Sequence, residues 1–311
     1  RQMCIRDRPW DLRMRQMSRG GFRADLDFAQ VNGILLTHER WSRSVWAAGA
    51  TPAGYLAIGG SCTNNPFVFS GDEISHGRVV FTLDATDIDF TTPMEEEHWV
   101  MLVPLEQVAF HLDEDLVATE SRTLRSCSSV PRVAHQLGML VVRTVAAMRG
   151  NSVCRTDELL RNAIHAQLLE GVTELLASCD IGSNRGSPRK RFLACRRALS
   201  QAQNLRRPIS VDELAIRAGV SRRILEIGFK ESLDISPQRY MRNIRLNGMH
   251  RDLRRASKGL TTVTEIALSW GFTELGRTAI AYRELFGEYP SDTLEHSIGT
   301  QSARLADALH G

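Results

Sequence analysis

The chain has 311 residues, about twice the length of an ordinary single domain, so two domains with a core each are expected. Hydrophobic residues make up 42% of it and charged residues 24%, a composition that excludes disordered and fibrous proteins. The net charge of +3 is unevenly divided, since residues 189–297 hold 20 basic and 12 acidic residues (net +8) and residues 24–188 hold 11 and 21 (net −10). A basic segment suits a phosphate backbone, so we expect the two halves to have different tasks.

No apolar run approaches the roughly 20 residues that a membrane-spanning helix needs. The six cysteines are scattered without a C-x-x-C pair, which favours reduced thiols and a cytoplasmic location. Residues 1–23 are set aside as an uncertain leader, because Arg1–Arg8 lacks an initiator methionine and the apolar segment of a secretory signal.

The segment from Gly33 to about Phe110 is typical of antiparallel β-structure. Short stretches rich in Val, Ile, Phe, Trp and Thr alternate with turns that contain glycine, asparagine and proline. Residues 78–83 and 98–103 are predicted to be buried strands. We therefore expect a β-rich first domain.

Two helices are predicted after Pro131, where apolar residues recur three or four positions apart. The first runs to about Met148, and the second begins near Thr156 and continues to about Leu176. The apolar stripe of the second helix suits either a dimer interface or packing on the sheet of its own chain. Residues 179–188 are small and polar, as in an interdomain linker.

Residues 209–230 fit a helix-turn-helix unit, preceded by a basic helix at about 190–203. Ser210 is placed to cap the first helix, and Glu213 three residues later predicts a capping box. Gly219 supplies the left-handed residue that ends this helix, and a second helix follows.

A second helix-turn-helix unit spans residues 262–286, with Gly271 in the position of Gly219. Between the units, a Ser-Pro pair begins a helix that is predicted over residues 236–256. Its length of about 20 residues corresponds to roughly 30 Å, close to the roughly 34 Å of one DNA turn. Two such units in a basic segment predict that two recognition helices enter successive major grooves.

At these positions the chain resembles the AraC/XylS family of bacterial transcription activators, over about residues 189–294. The matching residues are Ser210, Leu214, Ala215, Ala218, Gly219, Val220 and Ser221 in the first unit, Phe229-Lys230-Glu231, Ser236-Pro237, Tyr240 and Arg245-Leu246 after it, and Ile266-Ala267, Gly271-Phe272, Tyr282-Arg283, Phe286-Gly287 and Pro290 in the second. The chain departs from the family at Asp234, where glycine is usual. It also departs at Gly276, Thr278 and Ile280, where the family often has serine, an aromatic residue and arginine.

The resemblance implies a bacterial cytoplasmic regulator, usually an activator, whose other domain senses a small molecule or mediates dimerisation. That domain is often a cupin-like β-barrel followed by helices, which suits the order of elements predicted for residues 24–178. RNA polymerase and a second copy of the chain are the protein partners that the resemblance implies.

In the first recognition helix, Leu225 and Phe229 are predicted to face inward, because residues four apart share a helix face. The outward residues are assigned to base edges (Arg223, Glu226, Ile227) and to phosphates (Arg222, Lys230). Arginine can bind guanine, glutamate can accept from cytosine, and isoleucine can contact the thymine methyl group.

The second recognition helix is predicted to expose Leu275, Gly276, Arg277, Ala279, Ile280 and Arg283. These side chains offer few hydrogen-bonding groups to base edges, so they are expected to detect methyl groups and groove shape. Its two arginines are assigned to phosphates.

The sequence predicts no enzyme, cofactor or metal site. It has no P-loop, no G-x-G-x-x-G, no H-E-x-x-H and no G-x-S-x-G. The histidines of the first domain form no H-x-H pair and are predicted to be surface or core residues: His38, His76, His98 and His111. The acidic residues 84–89 and 95–97 are predicted to be solvated turns. Four aromatic residues either line a pocket or fill a core, namely Trp41, Trp46, Tyr55 and Trp99.

The sequence thus predicts a two-domain α+β protein. Residues 24–178 form a β-rich, cupin-like domain with helices for effector sensing and dimerisation, and residues 189–297 form an all-α domain with two helix-turn-helix motifs, followed by a tail at 298–311. The predicted function is that of an effector-controlled, sequence-specific regulator of transcription that binds double-stranded promoter DNA. Two alternatives are an effector-independent architectural DNA-binding protein and a metal-dependent cupin enzyme fused to a DNA-binding domain.

Overall fold

The computed structural model describes residues 12–69, 72–74, 77–83, 87–109, 125–127, 131–178, 198, 206–233, 235–256 and 259–297. Several features predicted from the sequence lie outside these residues: the linker at 179–188, the basic helix at 190–203 apart from Ala198, the tail at 298–311, His76, His111 and Asp234. The contacts divide the chain into two compact units, residues 1–14 with 23–187 and residues 15–22 with 188–311.

The described part of the first unit is built mainly of β-strands. The strands are β1 (Leu12–Gln16), β2 (Ala24–Val31), β3 (Ile34–Trp41), β4 (Val45–Ala50), β5 (Tyr55–Ser61), β6 (Phe67–Phe69), β7 (Asp72–Ile74), β8 (Val79–Leu83), β9 (Asp87–Thr91), β10 (Glu96–Pro104) and β11 (Arg125–Cys127). They form a five-stranded sheet in the order β1-β4-β9-β6-β7 and a six-stranded sheet in the order β11-β8-β5-β10-β3-β2. The buried strands predicted at 78–83 and 98–103 correspond to β8 and β10.

The alternation of side chains along β10 gives the six-stranded sheet two buried faces. Leu102 packs with Phe67 and Phe69 of the other sheet, in a core between the two sheets. Met101 and Val103 point the other way, into a core shared with helices. Strand β10 pairs antiparallel with β3 and β5, which places Trp99 opposite His38.

Four helices are described in this unit: α1 (Leu105–Val108), α2 (Pro131–Gly150), α3 (Ser152–Thr156) and α4 (Glu158–Ser178). Leu137 and Val141 of α2 are buried in the core on the outer face of the six-stranded sheet. The C-terminal half of α4 joins the same core through Leu168 and Val172, so this half of its apolar stripe packs within the chain. Leu159, at the other end of α4, is 83% exposed.

The prediction of solvated turns for the acidic residues is wrong for Asp87, Asp89, Glu96 and Glu97. Asp87 and Asp89 belong to β9, and Glu96 and Glu97 belong to β10. The two-residue period of a strand directs the adjacent Glu96 and Glu97 to opposite faces, and Glu96 is only 2% exposed. Local charge indicated a turn, but strand pairing decided the outcome.

The second unit is helical in its described part. Its helices are α5 (Val211–Ala218), α6 (Arg222–Leu233), α7 (Pro237–Arg255), α8 (Val263–Ser269), α9 (Leu275–Phe286) and α10 (Pro290–Glu295). Leu246, Met249 and Leu253 of α7 pack with residues of α8, α9 and α10 in one core. The predicted class, a β-rich domain with helices and an all-α domain with two helix-turn-helix motifs, is confirmed.

Residues 15–22, which include the last two residues of β1, belong to the second unit. Gln16 and Asn247 exchange two hydrogen bonds of 3.1 Å between the main chain of Gln16 and the amide side chain of Asn247. The Asn243 side chain donates to the carbonyl oxygen of Met17 at 3.3 Å. None of the described helices in either unit combines the length and apolarity needed to cross a membrane.

Candidate DNA-binding surface and an internal cleft

The first helix-turn-helix unit consists of α5, a glycine turn and α6. The Ser210 hydroxyl caps α5 by accepting from the main-chain NH of Glu213 at 3.0 Å, and Gly219 ends the helix with φ 70°. The predicted capping box is only half formed, because the Glu213 carboxylate binds Arg207 and Arg217 at 2.8 and 2.6 Å instead.

Helix α6 directs its apolar side inward as predicted. Leu225 and Phe229 are fully buried, and the Phe229 ring meets the Tyr240 ring of α7 edge-on, with centroids 5.2 Å apart. The residues assigned to DNA lie on the remaining surface: Arg222, Arg223, Glu226 and Lys230 are exposed, and Ile227 is half-buried. Ile224, which was not predicted as a contact, is 38% exposed on the same helix.

Ion pairs distinguish the charged residues of α6. Arg222 donates to Glu226 at 2.8 Å and to Asp212 at 3.3 Å, and these contacts raise the pKa of its guanidinium further above its usual value. Arg223 forms no ion pair with any residue that the structure describes. Glu226 is therefore already engaged by Arg222, whereas Arg223 is available to a ligand.

The second unit repeats the arrangement with a more complete cap. The Thr262 hydroxyl accepts from the NH of Glu265 at 3.1 Å, and the Glu265 carboxylate accepts from the NH of Thr262 at 2.8 Å, which completes a capping box. Gly271 has φ 71° in the turn. A β-carbon there would lie 2.6 Å from Cδ of Pro208, so both conformation and space require glycine.

Helix α9 presents a mixed surface. Of the residues assigned to DNA contacts, Leu275, Gly276, Arg277, Ile280 and Arg283 are exposed and Ala279 is half-buried. Arg277 pairs with Glu274 at 2.7 Å, and Arg283 donates to the Tyr289 hydroxyl at 2.8 Å with its guanidinium over that ring. Leu275 and Ile280 are 38% and 61% exposed, so this helix has an apolar component on its outer side.

The spacer between the units, α7, has 19 residues and a length of roughly 28 Å. Ser236 caps it by accepting from the NH of Arg239, and Pro237 occupies the first turn as predicted. Its length is close to one turn of DNA.

A cleft with a volume of about 80 Å³ lies between the two sheets of the first unit. Its walls are mostly aromatic and aliphatic. Trp41 lines it, whereas the Trp99 ring packs against Gly138 of α2 in the helix-covered core, and Trp46 and Tyr55 are not among the lining residues. The sequence left open whether these aromatic residues line a pocket or fill a core, and the answer differs from one residue to the next.

The polar residues of the cleft were not predicted from the sequence. The Glu39 carboxylate accepts from the Trp41 indole NH at 3.1 Å and lies 3.8 Å from Nε2 of His98. The Glu96 carboxylate accepts from the Thr63 hydroxyl at 3.0 Å, and burial raises the pKa of Glu96. A period-two count along β3 and β10 is the signal that could have placed Glu39, Glu96 and His98 on one face.

On the outer face of the six-stranded sheet, His38, Cys62 and Glu97 place ligand-type atoms within 4.8 Å of one another. Nε2 of His38 and Oε1 of Glu97 are 2.7 Å apart. Partial burial and the charges of Glu97 and Glu96 raise the pKa of the Cys62 thiol to about 12, so the thiol is protonated at neutral pH. These are zinc-ligand types, but the hydrogen bond between His38 and Glu97 satisfies both groups without an ion.

Two capped helix-turn-helix units joined by a helix of one DNA turn define a helix-turn-helix DNA-binding protein. The helix-turn-helix domain family model matches residues 214–296, so this part of the chain is a helix-turn-helix domain of the AraC type. It is 44% identical over 92 residues to the XylDLEGF operon transcriptional activator of Pseudomonas putida, and 42% identical over 87 residues to the probable thc operon regulatory protein of Rhodococcus erythropolis. It is also 37% identical to the solved structure of a probable AraC family transcriptional regulator from Rhodopseudomonas palustris, covering 33% of this chain and 96% of that one with a TM-score of 0.32.

The matches to the two curated relatives are confined to the DNA-binding part. They cover 30% and 28% of this chain, and 29% and 26% of the Pseudomonas and Rhodococcus proteins. The family and these relatives are transcription regulators.

Proposed function

We propose that the chain is a sequence-specific regulator of transcription whose occupancy of promoter DNA is controlled by a small molecule bound in the cleft of its first unit. The observation that carries this proposal is the pair of helix-turn-helix units on α7. Each unit leaves a recognition helix with exposed side chains, and the spacer has the length of one DNA turn.

The two recognition helices have different roles in this proposal. Arg223 reads a base edge, because it is exposed and has no ion-pair partner in the described structure. Arg277 and Arg283 bind phosphates, while Leu275, Gly276, Ala279 and Ile280 adapt to groove shape and methyl groups. Arg222 and Lys230 contact phosphates, and Glu226 and Ile227 stay secondary candidates for base contacts.

Effector control is the second part of the proposal. The cleft is lined by buried aromatic residues with a few polar groups, as small-molecule sites generally are. A ligand that binds one conformation of the protein more tightly shifts the population toward it, and so changes DNA occupancy or contact with RNA polymerase. In this proposal the protein acts in the cytoplasm as an activator and as a homodimer, and the exposed Leu159 end of α4 supports the dimer.

An architectural DNA-binding protein is the competing function. It would bind through phosphates alone, so an excess of random DNA would compete as well as the specific site. The exposed, unpaired Arg223 favours specific reading over this alternative. A metal-dependent enzyme is not proposed, because the family and the matched relatives are transcription regulators.

The experiment is a comparison of Arg223→Ala and Arg283→Ala on DNA from the region upstream of the gene and on variants of it with single base changes. Arg223→Ala should weaken the free energy of binding to the intact site by about 1–3 kcal/mol. Changing the base that Arg223 contacts should then weaken the variant no further. Arg283→Ala should weaken binding to all sequences alike. It should also reduce the slope of log affinity against log salt concentration by about one. Fluorescence anisotropy at several salt concentrations gives both quantities.

Glu274→Gln is the matched control, because Glu274 is exposed next to Arg277 and has no assigned DNA contact. It should not alter base preference. Losses that are equal and independent of sequence for both arginine variants would reject sequence reading by α6 and favour the architectural function.

A further inference from the structure

The cleft in the first unit is unusual in the charges it buries. Glu39 and Glu96 are each 2% exposed, and both line the cleft. Among the described residues that line it, none is a lysine or an arginine. His98, whose Nε2 lies 3.8 Å from the Glu39 carboxylate, is the basic side chain in that lining.

Aromatic rings form much of the wall around these carboxylates. Phe69 and Phe90 stack with centroids 5.9 Å apart, and Trp41 stacks on Phe90 at 6.3 Å. Phe67 meets Phe69 edge-on, with centroids 6.5 Å apart, and extends this wall. The faces of such rings attract cations, and the attraction grows when water is excluded.

One hydroxyl in the cleft has no partner within the described structure. Thr82 lines the cleft and is 3% exposed, and its Oγ1 makes no hydrogen bond there. A buried hydroxyl without a partner costs free energy, which a bound polar group would recover.

Burial also makes the charged form of Glu96 unfavourable, and its pKa is raised accordingly. A cation beside this carboxylate would offset that cost. An anion would be placed beside two carboxylates with no lysine or arginine to receive it, so repulsion and desolvation both oppose it.

We infer that the ligand of this cleft is an organic ammonium ion with a compact apolar body. The cation lies near Glu39 and Glu96, and the apolar part contacts the aromatic wall. This inference rests on the proposed role of the cleft as the effector site, and it adds the charge of the effector.

The test uses three probes of nearly the same shape and different charge: benzylammonium, benzyl alcohol and benzoate. Each is titrated into the full chain at about pH 7.5, where an aliphatic amine keeps its proton. Tryptophan fluorescence reports binding, because Trp41 lies in the cleft, and a rise in the unfolding temperature confirms it. The expected order of affinity is benzylammonium, then benzyl alcohol, with benzoate weakest.

Glu39→Gln and Glu96→Gln remove one charge each. Either change should weaken the binding of benzylammonium about tenfold and leave the affinity for benzyl alcohol nearly unchanged. Binding of benzyl alcohol therefore also shows that the variant is folded. Glu97→Gln is the matched control, because Glu97 neighbours Glu96 on β10, does not line the cleft, and contacts His38 on the outer face. It should leave all three affinities unchanged.

Benzoate binding as tightly as benzylammonium would overturn the inference and leave the cleft as the effector site. The inference is also overturned, with the cleft's proposed role intact, if both cleft variants bind benzylammonium like the unaltered protein. Failure of all three probes to bind would count against both the inference and the proposed role of the cleft.

Discussion

Arg222 and Arg223 are neighbours in the sequence, yet they differ in what they contact. Arg222 is held by Glu226 and Asp212, whereas Arg223 has no ion-pair partner among the described residues. The 222–226 pair could have been predicted from its spacing of four residues, which brings side chains together on a helix. The contact from Asp212 could not, because it depends on the angle between α5 and α6.

Buried hydrogen bonds connect three residues in the core of the second helix-turn-helix unit. Nδ1 of His250 and the Tyr282 hydroxyl are 2.6 Å apart, and that hydroxyl is 2.8 Å from Oγ1 of Thr293. Burial, with a smaller effect of the Arg254 charge, lowers the pKa of His250 to about 4. The same burial raises the pKa of Tyr282, so both groups are neutral at neutral pH.

The lowered pKa of His250 predicts a loss of stability in acid. The unfolded chain protonates this histidine near its ordinary pKa of about 6.5, and the folded chain only near 4. Neutral His250 therefore adds at most about 3 kcal/mol to the free energy of unfolding. This contribution is complete above about pH 6.5 and is lost as the pH falls toward 4. In His250→Gln this part of the pH dependence should be absent, and calorimetric unfolding of both proteins between about pH 7.5 and about pH 5 measures it.

The control for this prediction is His135→Gln, since His135 is exposed on α2 of the other unit. The His135→Gln variant retains His250, so it should keep the loss of stability in acid that His250 causes. Equal loss of unfolding temperature in acid for His250→Gln and the unaltered protein would contradict the role assigned to His250.

At the level of elements, α7 and Trp270 explain a glycine in the middle of a helix. A β-carbon on Gly248 would lie 2.2 Å from Cη2 of Trp270, much closer than two carbon atoms can approach without a bond. The indole NH of Trp270 donates to Asp252 at 2.9 Å, and the guanidinium of Arg206 lies over its ring. Because the ring is fixed from these sides, it cannot move to admit a methyl group.

Gly248→Ala should therefore destabilise the second unit by about 1–3 kcal/mol, although alanine favours a helix by about 1 kcal/mol over glycine. Gly276→Ala is the comparison, because nothing lies within 4 Å of a β-carbon there. That change should be neutral or slightly stabilising. Urea unfolding measures both, and a destabilisation by Gly276→Ala as large as that by Gly248→Ala would reject the packing argument.

The sequence predicted elements well where the signal is local. Ser210, Gly219 and Gly271 occupy the cap and turns that their chemistry required, and Pro237 begins α7. It failed where partners are distant in sequence. The run of three glutamates predicts a solvated turn at Glu96, but pairing of β10 with β3 and β5 buries this residue. The reciprocal half of the cap at Ser210 is missing for a different reason, because the Glu213 carboxylate pairs with Arg207 and Arg217, six and four residues away, and these local contacts replace it.

For the whole molecule, the sequence predicted the two-domain class but not the cleft. Periodicity identified a β-rich half and a helical half, and the charge difference between them matched a DNA-binding half. The cleft is assembled from strands of both sheets, so its lining follows from strand order, which no local pattern contains. A period of two along β3 could place Glu39 on the same face as Trp41, but it could not show that this face lies against the other sheet.

The central claim is that two helix-turn-helix units bind successive major grooves of specific DNA. Selection of binding sites from random DNA by the full chain tests it most directly. The claim predicts enriched sequences with two elements centred about 10 base pairs apart, the one matched to α6 being the more sharply defined. Insertion of about 5 base pairs between the elements should weaken binding at least about tenfold, because α7 holds the units one turn apart. Recovery of no common sequence, or binding indifferent to the spacing, would contradict it.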